Sequence, residues 1–218
     1  DALLPLASER LGLGVSPHAP YTVSTRLLGE VVALARRRGW PVAMHLAESP
    51  EEDHFVRHGE GPFADGHRKR GIPVQPHGCS PVAWARRAGL LDLRPLLIHC
   101  VRADGDDTMA IARHGAAVAV CPWSNAVLRN GRADLALLRR LGVTVGAGTD
   151  SVAPGGGLDL FREARLAALA CVLAPREMLR LITVDAAAAL GLAGAGTLEP
   201  GGWGDVCAVS LAAPALAA

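Results

Sequence analysis

Aromatic residues make up only 4% of this 218-residue chain, so Leu, Val and Ala must fill whatever core it builds. Net charge is nearly absent too: 22 basic side chains face 21 acidic ones, for a formal charge of +1. That balance gives no electrostatic case for nucleic acid or an anionic membrane. No apolar run approaches the ~18 residues of a membrane span, and no secretory signal with a basic start and apolar middle opens the chain. The five cysteines, Cys79, Cys100, Cys121, Cys171 and Cys207, are widely spaced and form no C-x-x-C. A disulfide framework and a thiolate zinc site are therefore not indicated, and reduced thiols in a cytoplasmic protein are the plain reading. There is no G-x-S-x-G serine elbow. There is no phosphate-loop Gly-Lys-Ser/Thr, and Gly12-Leu13-Gly14 lacks the third glycine of a dinucleotide fingerprint.

What is present is a set of apolar runs that end in reactive side chains. Val42-Ala43-Met44-His45-Leu46-Ala47-Glu48 is the clearest. A strand covered on both faces reads as a near-continuous hydrophobic run, and this one delivers an imidazole and a carboxyl at its end. Leu11 to Val15 is a shorter strand candidate that runs into Ser16-Pro17-His18. Leu96 to His99, Ala116 to Val120 and Val143 to Ala147 are three more, leading to His99, Asn125 and Asp150. Helices are expected between them: from Ser24 as N-cap to Gly39, from Pro50, from Pro81, over 104–114, 135–141 and 158–172, and from Pro175 and Thr183. Strand–helix alternation of this spacing predicts an α/β fold with parallel crossovers. Gly194 to Gly202 is a turn-rich linker, 205–211 an isolated last strand, and an Ala-rich tail follows.

His18, His45, Glu48, His99, Asn125 and Asp150 would then share one rim. Two or three imidazoles and a carboxylate are the inventory of a catalytic metal site with an open position. Each residue also has an ordinary reading: His18 bonds a loop carbonyl, His45 is a satisfied core histidine, Asn125 is a turn residue, Asp150 caps a turn. The functional reading rests on their recurrence. His54 and His58 lie one helical turn apart but without the Glu of H-E-x-x-H, and His67, His77 and His114 read as surface residues.

Five ordered motifs carry a resemblance: Ser16-Pro17-His18-Ala19-Pro20-Tyr21, His45-Leu46-Ala47-Glu48-Ser49, Ile98-His99-Cys100, Cys121-Pro122-Trp123-Ser124-Asn125 and Gly148-Thr149-Asp150-Ser151. Together they resemble the metal-dependent amidohydrolase superfamily, in the branch of chlorohydrolases and of cytosine, guanine, S-adenosylhomocysteine and aminofutalosine deaminases. The resemblance implies part of a TIM (β/α)8 barrel, about strands 4–8, over residues 1–193. It implies a linker, a strand of a small β-sandwich and a disordered tail over 194–218. It also implies roles. His45 and Asp150 would bind a divalent metal, zinc before iron or manganese. His99 would orient the bound water or bind a second ion. Glu48 would protonate the ring nitrogen beside the attacked carbon. His18 and Asn125 would contact a small-molecule substrate, a nucleobase-like or nucleoside-like ring deaminated by metal-bound hydroxide. The family's His-x-His is missing, and Trp123 stands where arginine is common. The chain is thus expected to be an inactive fragment of a longer enzyme, with an exposed sheet edge that invites a second copy. The alternative is a non-catalytic remnant used for binding or assembly.

Overall fold

The computed structural model describes residues 7–8 and 11–209. Its centre is a parallel sheet of four short strands in the order β1 (Ala43–Leu46), β2 (Leu96–His99), β3 (Ala117–Val120), β4 (Val145–Ala147). All four were legible as apolar runs. Between β1 and β2 come α2 (Pro50–His58), α3 (Pro62–Lys69) and α4 (Pro81–Arg87), then a 3-10 turn at Leu91–Leu93. Between β2 and β3 comes α5 (Gly105–His114), and between β3 and β4 come α6 (Pro122–Val127) and α7 (Leu135–Arg140). α1 (Thr25–Arg38) precedes the sheet. α8 (Val152–Gly155), α9 (Leu160–Cys171), α10 (Pro175–Leu181) and α11 (Val184–Ala189) follow it. Crossovers of this length are what parallel neighbours require.

The register puts Met44, Leu97, Val118 and Val145 on one face and His45, Ile98, Ala119 and Gly146 on the other. The first face is buried and joins Leu28 and Val32 of α1, Ile111 of α5 and Leu138 of α7 in one core. A fully buried side chain such as Leu97 stabilises the fold by about 2–3 kcal/mol. α11 packs close to the second face: a Cβ on Gly146 would lie 2.7 Å from Ala186 Cα, so only glycine fits there.

The expected strand over 11–15 is reduced to two isolated bridges, Val15 with Val42 in parallel and Leu11 with Ser8 in antiparallel. Ala43 N–H donates to the Val15 carbonyl, but His45 N–H donates to His18. Three residues on one side thus face two on the other, which breaks the ladder as a bulge does. Pro41, with no N–H of its own, cannot extend the ladder backward. Residues 205–209, expected in a final strand, lie in no strand. Residues 210 and 211, the expected tail and most of the opening ten residues lie outside those described. The stretch 50–90, irregular by sequence, holds three helices, two of them capped by Ser49 and Ser80.

Candidate metal centre

The reactive residues sit where the strands stop. His45 is the third residue of β1 and His99 the last of β2; Asn125 is in α6 just after β3, and Asp150 follows β4. Those ends are bent: Ala47, His99, Cys100 and Asp150 all have left-handed backbone, φ 53°, 77°, 51° and 57°. A non-glycine residue held there costs roughly 1–2 kcal/mol, and four of the seven such residues among those described cluster at this rim.

His45, His99 and Asp150 each offer a ligand atom, all within 4.8 Å of one another. The His45 and His99 ring centroids are 5.4 Å apart. Asp150 Oδ2 is 4.0 Å from His99 Nε2, and Glu48 Oε2 is 3.6 Å from the same nitrogen. His99 is 0% exposed, and neither ring nitrogen makes a hydrogen bond of full geometry, although the Asn125 side chain stands close enough to favour its protonated form. Buried polar atoms are nearly always paired, so an imidazole without a full hydrogen bond, beside a second imidazole and a carboxylate, fits a divalent cation. Burial, with His45 alongside, lowers the His99 pKa to about 4. Burial and His18 likewise lower that of His45. Both rings are therefore neutral near pH 7, the form that binds metal. His45 Nδ1 lies 3.3 Å from the His18 carbonyl; a ring donating there presents Nε2 as its lone pair.

The remaining groups surround this triad. Burial first, then the charge of Asp150, raises the proton affinity of Glu48. Asp150 Oδ2 accepts the Ser124 hydroxyl at 2.5 Å, and its Oδ1 accepts Ser151 N–H at 2.7 Å. Asn125 is 2% exposed and its Oδ1 is unpaired. His18 is exposed; its ring stands 5.1 Å from that of His45, with Nδ1 turned to Thr22 Oγ1 at 2.9 Å. A cavity of about 380 Å³ opens beside the triad, lined by His45, Ile98, Ala119, Cys121 and Asp150 and backed by α11. A larger one, about 870 Å³, lies between residues 20–27, α3 and the 70–77 loop and holds none of the three. Donor chemistry locates the site better than volume does.

All six residues expected at the rim are there, with His18 at its edge. Sequence reading missed Ser124, Asn130 and Glu52. Asn130 Nδ2 donates to Glu48 Oε1 at 3.0 Å, from 82 residues away. Ser124 stands inside the Cys121-to-Asn125 motif, but nothing there singles out its hydroxyl, and Asn130 is an ordinary loop residue until the fold brings it in. Glu52 was detectable: Ser49-x-x-Glu52 has capping-box spacing. His67, read as a surface residue, instead bonds the Tyr21 carbonyl through Nε2 at 2.8 Å and packs edge-on to Phe55.

The model of the amidohydrolase family matches residues 1–217. The chain belongs to the amidohydrolase family. It is 34% identical, over 96% of its length, to the 5-methylthioadenosine/S-adenosylhomocysteine deaminase of Pelotomaculum thermopropionicum, covering 46% of that protein. It is 38% identical over 72% of its length to the aminodeoxyfutalosine deaminase of Deinococcus radiodurans, covering 40% of it. Among solved structures, an adenosine deaminase from Xanthomonas campestris with bound zinc superposes with TM-score 0.71 at 30% identity, over 85% of this chain and 40% of that one. Helicobacter pylori aminofutalosine deaminase, at 24% identity and TM-score 0.80 over 94% of this chain and 51% of that one, shares the fold. The chain spans less than half the length of the curated relatives it matches.

Proposed function

We propose that these residues form the metal-bearing part of a hydrolase that deaminates a nucleobase-like or nucleoside-like ring. The observation that carries this reading is the convergence of His45, His99 and Asp150 on one point, with Glu48 against His99. On it, β1–β4 are consecutive strands of a (β/α)8 barrel, and residues 194–218 belong to the linker and the small sandwich. The chain's short coverage of its relatives supports a further part, that these 218 residues supply only some of the metal ligands.

His45 and Asp150 would hold the ion, with His99 beside them to orient its water or serve as a further donor. Once bound, a divalent cation supplies Lewis-acid polarisation and makes water a nucleophile at neutral pH. In the reaction, water adds to the carbon bearing the amino group, the C–N bond breaks, and a ring carbonyl and ammonia result. Glu48, its proton affinity raised by burial, protonates the adjacent ring nitrogen as negative charge builds there. Asp150 accepts one proton from the water and passes it to the departing amine, and the second, shed as the ring carbonyl forms, restores Glu48. The Ser124 hydroxyl fixes Asp150 Oδ2 for that exchange. Asn125 offers a buried acceptor to the amine, and His18 meets the substrate at the edge. The amidohydrolase relatives named for adenosine-type substrates support a purine nucleoside as probe.

Zinc content and ammonia release from 5-methylthioadenosine, measured on the protein carrying this chain, test the proposal. Glu48→Gln should keep its zinc and lose at least about 10²-fold in kcat. His45→Ala and Asp150→Asn should lose both zinc and activity. Full ammonia release by Glu48→Gln, or unchanged zinc in the other two, would sink it.

A further inference from the structure

Glu48 makes contacts that its own motif does not account for. Its backbone N–H and that of Ala47 donate to the two carboxylate oxygens of Glu52, at 2.9 and 2.7 Å. Its Oε1 accepts from Asn130 Nδ2 at 3.0 Å. Oε2 faces His99 Nε2 at 3.6 Å. Glu52 is 0% exposed and Asn130 8%, so both bonds are shielded from water. Asn130 is itself built in. Its backbone N–H donates to the Asn125 carbonyl, and Arg129 and Gly131 on either side have positive φ, 60° and 107°. That turn delivers one side-chain amide to one carboxylate oxygen.

A glutamate has three rotatable side-chain bonds, and a proton carrier works only within hydrogen-bond reach of its target. We propose that Glu52 and Asn130 are positioning residues that together fix Glu48. Glu52 holds its main chain and Asn130 its Oε1, which leaves Oε2 as the oxygen that gives and takes the proton. This rests on the reading of Glu48 as proton carrier. The two elements that hold it, α2 and the loop after α6, lie on opposite sides of β2 in chain order. A carboxylate gripped from both keeps its direction when either segment moves alone.

Kinetics and hydrogen exchange together test the idea. With 5-methylthioadenosine as probe, Asn130→Ala should lower kcat about tenfold with KM within about twofold and zinc unchanged. Asn130→Asp, which keeps turn propensity but has no N–H to donate, should lose at least as much; wild-type activity in it overturns the assignment. On a Glu48→Gln background, Asn130→Ala should cost nothing further, whereas a second tenfold loss would show a role that does not pass through Glu48. For Glu52, amide exchange at Ala47 and Glu48 is the readout. At least one of the two should exchange about tenfold faster in Glu52→Gln and both in Glu52→Ala, with the amides of β2 and β3 unchanged. Unaltered rates in both variants overturn that half. If the wild type releases no ammonia from the probe, the functional reading fails for that substrate. The clamp is still decided, by exchange and by whether the Asn130 side-chain amide signals shift in Glu48→Ala.

Discussion

Glu52 and Glu163 are both 0% exposed, and both accept backbone N–H from the segment that follows a strand, the loop after β1 for Glu52 and the first turn of α6 after β3 for Glu163. Glu52 serves the loop after β1 from the first turn of the very next helix, across four and five residues, and both its oxygens are occupied. Glu163 serves the first turn of α6, just after β3, from α9, across 40 residues. Only its Oε2 is bonded, to Trp123 N–H at 2.8 Å, while Oε1 has no hydrogen-bond partner and stands 3.8 Å from Arg162. One anchor forms with its own β–α unit; the other exists only after a distant helix has docked. The anchor on the loop carrying Glu48 needs only its own β–α unit, whereas the start of α6, which carries Ser124 and Asn125, is held through the packing of α9.

The largest expected consequence of that difference is in the pH dependence of stability. Burial pushes the Glu52 carboxyl up to about 8, against the two N–H bonds that favour its charged form. The unfolded chain therefore loses this proton first. Over the window from about 4.5 to 8 the folded state holds more protons, and stability falls as pH rises. The loss is on the order of 5 kcal/mol at most and levels off above the folded pKa. Urea unfolding of wild type and Glu52→Gln across pH 4 to 9 isolates the effect, since glutamine has no proton to lose. Parallel curves would break the comparison at its strongest point.

Next in size is Glu52→Ala at pH 5, where ionisation does not intervene. It strands two backbone N–H groups, one on the fully buried Ala47, and leaves a cavity. About 3 kcal/mol should be lost. Glu163→Ala strands one N–H, on the half-buried Trp123, and should cost about 1–2 kcal/mol in the same assay. A reversed order would mean that the docking of α9, not the local clamp, dominates.

The same local–distant contrast explains what could be read from the chain. β1 to β4 were visible because each is an apolar run, and α1 was visible from Ser24, its periodic leucines and valines, and Gly39. The six rim residues were visible because the ends of parallel strands fall on one side. Gly12-Leu13-Gly14-Val15 looks like a strand in isolation; it pairs at one position because its neighbour begins at Pro41 and its own continuation runs through Pro17. Asn130 and Ser124 were not legible, since their meaning lies in carboxylates 82 and 26 residues away. Glu163 was hidden for the same reason. It looks like one more charge in an amphipathic helix, and its partner is a backbone amide that any residue could supply.

The smallest effect sharpens the comparison most. Glu163→Gln can keep the bond to Trp123 N–H through its amide oxygen and put its NH₂ where Oε1 now has no partner. The substitution also removes a carboxyl whose proton affinity is raised, chiefly by burial. Against this stands the weakened attraction to Arg162, whose guanidinium also lies over the Trp123 ring at 4.4 Å and so keeps a second contact. The terms nearly cancel, and stability at pH 7 should change by less than about 1 kcal/mol. In Glu52 both oxygens already serve as acceptors, so the same isosteric change must turn an N–H₂ toward a backbone N–H. Its cost at pH 5 should exceed that of Glu163→Gln by about 1 kcal/mol or more. Equal costs for the two glutamines would mean that the number of occupied oxygens does not set the strength of the anchor.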